Sequence, residues 1–390
     1  AYTITVASAA SSTATGGGTV GAVYQINTGL DTQIVGTGWG AAPWNTGAWG
    51  DEYLGSDILL GLRLISHDIL REDLVFNIRD EGIYYWDTSA NRTSFGAAVH
   101  INSISGADGF APTNAKQVLV SDINRHVIAF GCTPVEQTLA NSGNGEIDPL
   151  LIRFSSSNNA TIWDPDFSNS AGDILLASGN EIVTAVHTRQ ETLVFTDASL
   201  YSMQNIGPPL TFVAAPISGQ TTIMGPNSAV AVDGVVFWMG KENFYLYSGS
   251  VQKIDCTVRS KVFNDFNFRQ SAKVFASVNS TYNEVWWFYP SASSENNDKY
   301  VVFNYQEQLW YFGDMPRTAW ADRGIYEYPL AASTDGFIYE HERDLNDGST
   351  SPASGLNSFI ESSQMDIGDG EQFTFCLLYT SPSPRDDQTS

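Results

Sequence analysis

Residues 283–313 read NEVWWFYPSASSENNDKYVVFNYQEQLWYFG, and within them Trp286, Trp287, Phe288 and Tyr289 stand side by side. The run 285–289 is apolar at both alternating positions, so a strand here has no face to give to water and needs cover on both sides. Stacked sheets supply that cover, which predicts burial of Trp286, Trp287 and Phe288 between neighbouring sheets. Pro290 cannot donate to a ladder and stops the run, and the polar stretch SASSENND separates it from a return strand at 300–305.

The same unit recurs along the chain as an apolar strand, a short turn with Asp, Glu, Asn or Gly, and an aromatic strand. Residues 74–76 lead through Asp80, Glu81 and Gly82 to Ile83, Tyr84, Tyr85 and Trp86. Residues 193–195 lead through 196–198 to Leu200 and Tyr201, and residues 235–238, ending on Trp238, lead through 240–243 to an aromatic strand at 244–247. Another copy folds around Gln306 and Glu307, with Tyr305 and Trp310 on either side, and a partial one runs from Thr334, Asp335 and Gly336 to Phe337, Ile338 and Tyr339. Hairpins repeating at roughly 40 to 60 residues without a strict period predict an all-β, β-propeller-like fold of about five to eight irregular antiparallel blades. Helix is expected in less than roughly a tenth of residues, well under the usual third. Only residues 258–268 carry a hint of one.

The chain of 390 residues is long enough for one large all-β domain or two smaller ones. Its 19 Lys and Arg against 43 Asp and Glu give a net charge of −24, which repels nucleic acid and anionic membranes. No apolar run reaches the roughly 18 residues of a membrane span; Asp233 interrupts even residues 229–239. Three cysteines make no disulfide framework, since Cys132 and Cys256 could form at most one pair and Cys376 lies in an anomalous tail. The sequons at Asn91, Asn159 and Asn279 are chance-level matches unless the protein is secreted.

Three segments are expected. Residues 1–56 form an N-terminal arm rich in Ala, Ser, Thr and Gly, followed by the Gly/Trp-rich loop GTGWGAAPWNTGAWG, and residues 57–375 form the propeller-like domain. Residues 376–386, CLLYTSPSPRD, resemble the translation of a transposase-type sequencing adapter, so residues 376–390 are read as an artefactual tail and both ends as truncated.

Complete catalytic motifs are missing. HExxH would need a second histidine where Leu345 stands after His341 and Glu342, no GxSxG elbow occurs, and Gly240-Lys241 lacks the rest of a phosphate loop. His67, His100, His126, His187 and His341 are scattered among strands, where structural roles outnumber catalytic ones. Residues 156–163, SSNNATIW, keep only the first serine and Trp163 of the sialidase Asp-box S-x-D-x-G-x-T-W. No catalytic residue, metal ligand or cofactor is expected.

An ordered series of phrases carries a family resemblance. Glu72-Asp73-Leu74 precedes Ile83-Tyr84-Tyr85-Trp86-Asp87; Ala160-Thr161-Ile162-Trp163 precedes Ala171-Gly172-Asp173 and Ser178-Gly179-Asn180-Glu181-Ile182. Phe195-Thr196-Asp197, Leu200-Tyr201-Ser202-Met203 and Gly207-Pro208-Pro209 follow, then Gly225-Pro226-Asn227, Val236-Phe237-Trp238-Met239-Gly240 and Cys256-Thr257-Val258. The series closes on Glu284-Val285-Trp286-Trp287-Phe288-Tyr289-Pro290 and Asn304-Tyr305. On these phrases residues 40–375 resemble the tail hub proteins of short-tailed bacteriophages, also called DNA-stabilisation or tail nozzle proteins.

The resemblance implies a fold and an assembly role without an active site. Copies would form a ring below the portal and adaptor in the virion, assembled in the host cytoplasm, which closes the channel after genome packaging and connects it to the distal tail. DNA would pass without tight binding. The alternative is a carbohydrate-binding or sialidase-like glycosidase propeller. Aromatics buried between blades favour assembly, whereas a central pocket lined by Arg with Asp or Glu favours an enzyme.

Overall fold

The computed structural model describes residues 62–91, 97–135 and 146–343, with the side chain of Asn91 excepted. The arm and Gly/Trp-rich loop, the end of the domain beyond residue 343 and the tail at 376–390 therefore lie outside the described residues. The chain divides after His341, and the architecture is that of the unit ending there.

Strands β1 (Ile65–Leu70), β2 (Asp73–Ile78), β3 (Ile83–Trp86) and β4 (Val99–His100) form the first sheet, in that order. The second holds β5 (Ala115–Val120), β6 (Val127–Cys132), β7 (Asp148–Phe154) and β8 (Gly172–Leu175). The third holds β9 (Ile182–His187), β10 (Thr192–Thr196), β11 (Leu200–Gly207) and β12 (Thr211–Ser218), and the fourth β13 (Ala229–Val232), β14 (Val235–Met239), β15 (Phe244–Tyr247) and β16 (Val251–Ile254). The fifth is built from β17 (Phe275–Asn279), β18 (Glu284–Tyr289), β19 (Lys299–Asn304) and β20 (Leu309–Asp314). The sixth contains β21 (Ala319–Ala321), β22 (Leu330–Ala332) and β23 (Ile338–Glu340).

Each sheet is an antiparallel meander whose strands pair in chain order. First strands meet across sheets: β1 lies beside β5, β5 beside β9, β9 beside β13, β13 beside β17 and β17 beside β21. Sheets joined in sequence and touching through their first strands are the blades of a propeller, here six-bladed. Short helices at Thr88–Asn91 and Arg259–Asn264, with a 3-10 turn at Phe268–Lys273, join the strands, and the helix hint at 258–268 is met by Arg259–Asn264 alone, the 3-10 turn beginning only at its last residue.

The second strand of a blade is its most enclosed. Every residue of β6 and β10 is buried, as are five of six in β18. Alternation then sorts β18 between two cores. Val285, Trp287 and Tyr289 join the cluster shared with Phe237, Met239 and Phe244 of the fourth blade, while Trp286 and Phe288 join Phe275, Val302 and the sixth blade's Trp320. A strand apolar on both faces is what this position requires.

A first strand has an open inner edge whose N–H groups need partners. Side chains of the neighbouring first strand supply them. Ser66 Oγ on β1 accepts from the Val118 N–H (3.0 Å) and Asp68 Oδ2 from the Val120 N–H (2.8 Å), both on β5. Gln117 on β5 repeats the device toward β9, accepting from the Ala185 N–H (2.7 Å) and donating to the Ala185 carbonyl (2.9 Å). Buried Asn77 ties the first blade to the second by donating to the Ala115 carbonyl at 2.9 Å. The fourth and fifth blades approach closely enough that a Cβ on Gly225 would stand 2.5 Å from the Ser271 carbonyl, which accounts for glycine there. At the β13–β14 turn Asp233 (φ 49°) and Gly234 (φ 85°) form the left-handed pair that a two-residue hairpin favours.

Candidate functional site: blade seams and an axial pocket

The aromatics singled out from the sequence are mostly seam residues. Trp238 is fully buried on β14, stacks on Tyr245 (5.4 Å between centroids) and meets Phe195 of the third blade edge-on at 5.2 Å. Trp287 reaches from the fifth blade into the fourth, where its Nε1–H donates to the Ser228 carbonyl at 3.1 Å and its ring lies 4.9 Å from Phe244. Trp310 is half-buried, packs on Phe244 at 4.7 Å and donates to the Asp255 carbonyl (2.9 Å), while half-buried Tyr305 stacks on Phe237 at 5.9 Å. On the other face of β18, Trp286 stacks on Trp320 at 5.4 Å, and Phe288 lies 5.9 Å from the same ring. Tyr289 stacks on Phe266 at 5.7 Å.

The first-blade aromatics stand apart from this group. Tyr84, Tyr85 and Trp86 are half-buried on β3; Tyr84 stacks on Phe76 at 5.4 Å and the Tyr85 hydroxyl donates to Asp73. Trp163 sits in the Asp-box-like loop between β7 and β8, buried in the core of the first two blades, with its Nε1–H on the Ala160 carbonyl at 2.8 Å. That loop closes on itself: the Ser156 N–H donates to the Ile162 carbonyl (2.8 Å), and Asp108 Oδ2 accepts from the Trp163 N–H (2.6 Å). These contacts give it a structural role.

Four histidines are likewise engaged in structure. His100 Nδ1 accepts from the Asn102 N–H at 3.3 Å, buried His126 places Nδ1 2.7 Å from the Ser155 carbonyl, and His187 Nδ1 lies 3.0 Å from Thr192 Oγ1. Burial depresses the pKa of His100 and His126. His341 Nε2 accepts from Arg317 Nε at 3.0 Å and its ring lies 4.7 Å from Trp320. Burial, and secondarily the Arg317 cation, lowers it from 6.5 to about 4. The folded state therefore binds fewer protons than the unfolded state between those values, so the stabilisation is full above about pH 6.5 and is lost as pH falls through about 4. Melting temperature should drop over this window, and His341→Gln should drop less; equal slopes for both proteins would refute the assignment.

Cys132 and Cys256 are free thiols, and burial pushes the Cys132 thiol up to about 12, which makes it inert. Among the described residues no three His, Cys, Asp or Glu side chains converge as a metal site, and no helix is long and apolar enough to cross a membrane.

Where the first strands of the first four blades converge lies a cavity of about 220 Å³. Ser66 and His67 come from β1, Arg79 from just after β2, Lys116 and Gln117 from β5, Thr184 from β9 and Asn227 from just ahead of β13. Arg79 Nη1 donates to the Val183 carbonyl at 3.1 Å, and Lys116 pairs with Glu181. Among the described lining residues none is Asp or Glu. Sequence reasoning missed this pocket, because its residues lie in four separate repeats and form no local motif.

No protein-family profile matches the chain, and no curated protein matches it in sequence. Among solved structures it is similar to Hsv2 of Kluyveromyces lactis, at 9% identity and a TM-score of 0.37, over 72% of this chain and 73% of that one. It is also similar to the extracellular domain of a one-component system of B. thetaiotaomicron (12% identity, TM-score 0.44, 77% of this chain and 34% of that one). A third is PorZ of Porphyromonas gingivalis, at 10% identity and a TM-score of 0.39, over 77% of this chain and 33% of that one. The chain thus spans about a third of the last two. The assignment of six blades rests on the strand pairing above.

Proposed function

We propose that this protein is a ring component of a short bacteriophage tail, a hub or nozzle that closes the portal channel after packaging and connects it to the distal tail. The ordered series of hub-like phrases carries the reading. Several of those phrases fall on blade strands: Val236-Phe237-Trp238-Met239 lies in β14, and Glu284 to Tyr289 is β18. Two further observations support it. Trp238, Trp286, Trp287 and Phe288 are spent on holding blades together, and the axial pocket presents no carboxylate among its described residues, whereas glycoside hydrolysis needs two.

Partners under this reading are other copies of the chain, the portal and adaptor above and the distal tail proteins below. The net charge of −24 suits a conduit, because each phosphate a wall neutralises adds affinity through counterion release and would hold the genome back. The test is size-exclusion chromatography with light scattering on the complete gene product, with and without a portal–adaptor complex. Addition of the complex should shift the protein into one particle of ring stoichiometry. Failure to bind it, together with glycan hydrolysis lost on substituting acidic residues near the axis, would place the protein among the glycosidases.

A further inference from the structure

We propose that the axial pocket is a binding site for a small oxyanion, a carboxylate or a phosphate. Its described wall carries two fixed cations, Arg79 and Lys116, and exposed His67, with no acidic side chain. Lys116 is committed to Glu181, which leaves Arg79 as the attracting group. A guanidinium has five N–H donors, and among the described residues the Arg79 side chain uses one, to the Val183 carbonyl. The carboxylates of Asp80 and Glu181 act on it through space without a hydrogen bond to it. A partly enclosed cation is costly to leave without a hydrogen-bonded counter-charge, and the planar fork matches two oxygens of a carboxylate or phosphate.

The neutral groups narrow the ligand further. Ser66, Gln117 and Thr184 are engaged in the contacts between first strands, Ser66 with Val118 and Thr184 with Gln117, and Ser66 also donates to Asn77 of β2. They shape the wall and leave their positions fixed. Asn227, from the opposite blade, lines the cavity with its side chain outside that network. The volume of about 220 Å³ is below that of pockets for drug-sized ligands and suits a small ion with its waters. The site is independent of the tail-hub reading, since it rests on the first four blades of one chain.

The test is calorimetric titration of the full chain at low ionic strength with inorganic phosphate in one arm and succinate in the other. Saturable one-site binding is expected in at least one arm, and the stronger arm identifies the oxyanion. Arg79→Gln should weaken it about tenfold or more, the effect of one charge-assisted contact, and Arg79→Lys should recover part of the loss. No saturation by about 10 mM of either anion in the parent protein would overturn the proposal whatever the variants do. So would equal affinity in an Arg79→Gln protein that melts like the parent.

Discussion

Trp287→Ala should lower the stability of the propeller by about 3 to 5 kcal/mol, the cost of emptying a large buried aromatic site. The side chain is fully buried and fills the space between the fourth and fifth blades against Phe244 and Trp310. Both neighbours belong to strands that other contacts hold, so collapse into the cavity would be partial. The lost indole hydrogen bond adds less, because the Ser228 carbonyl still accepts from the Met239 N–H at 3.1 Å. Such a loss is a large part of the total stability of an ordinary domain. Urea unfolding of the parent, Trp287→Ala and Trp287→Phe measures it. A midpoint for the alanine variant within error of the parent would mean that the seam does not depend on this ring, and the phenylalanine variant should lie between the two.

Arg153→Met should cost about 2 to 5 kcal/mol for a different reason, the stranding of two carbonyl acceptors, one buried and one partly buried. Arg153 on β7 is 1% exposed, and its guanidinium donates to the Thr133 carbonyl at 3.0 Å and the Phe110 carbonyl at 2.6 Å. Phe110 lies in the connection leading into β5 and Thr133 in the one leaving β6, both beside the paired Ala115 and Cys132, so the arginine ties two connections at one end of the second blade to β7. Methionine keeps much of the volume and supplies no donor. Denaturant unfolding should place Arg153→Lys between parent and methionine variant, since an ammonium can reach one carbonyl more readily than both. A methionine variant as stable as the parent would show that water takes over the two acceptors and that the region is more open than its burial indicates.

The hairpins of the first, third, fourth, fifth and sixth blades were legible because each is local: an apolar strand, a turn able to take a left-handed residue, and an aromatic return. The second blade was not. Its β5 and β6, AKQVLV and VIAFGC, carry no aromatic return strand, and residues 133–147 separate β6 from its next partner β7. Trp163 shows the same limit in another form. The sequence picked it out beside a broken Asp-box, but its burial depends on a loop closing over the first two blades, which no spacing within 156–163 reveals.

By itself, the sequence determined that the chain is all-β, that β18 is covered on both faces and that the chain carries a strong negative charge. These follow from alternation, turn chemistry and composition, which act over a few residues or over none in particular. Tertiary structure decided that the blades number six, that Trp286 and Trp287 serve opposite seams, and that Arg79, Lys116, Thr184 and Asn227 share one cavity. Each of those depends on how first strands stack around an axis. Stacking brings together residues whose separation along the chain is set by loop lengths, and loop lengths vary freely as long as the strands they join still pair.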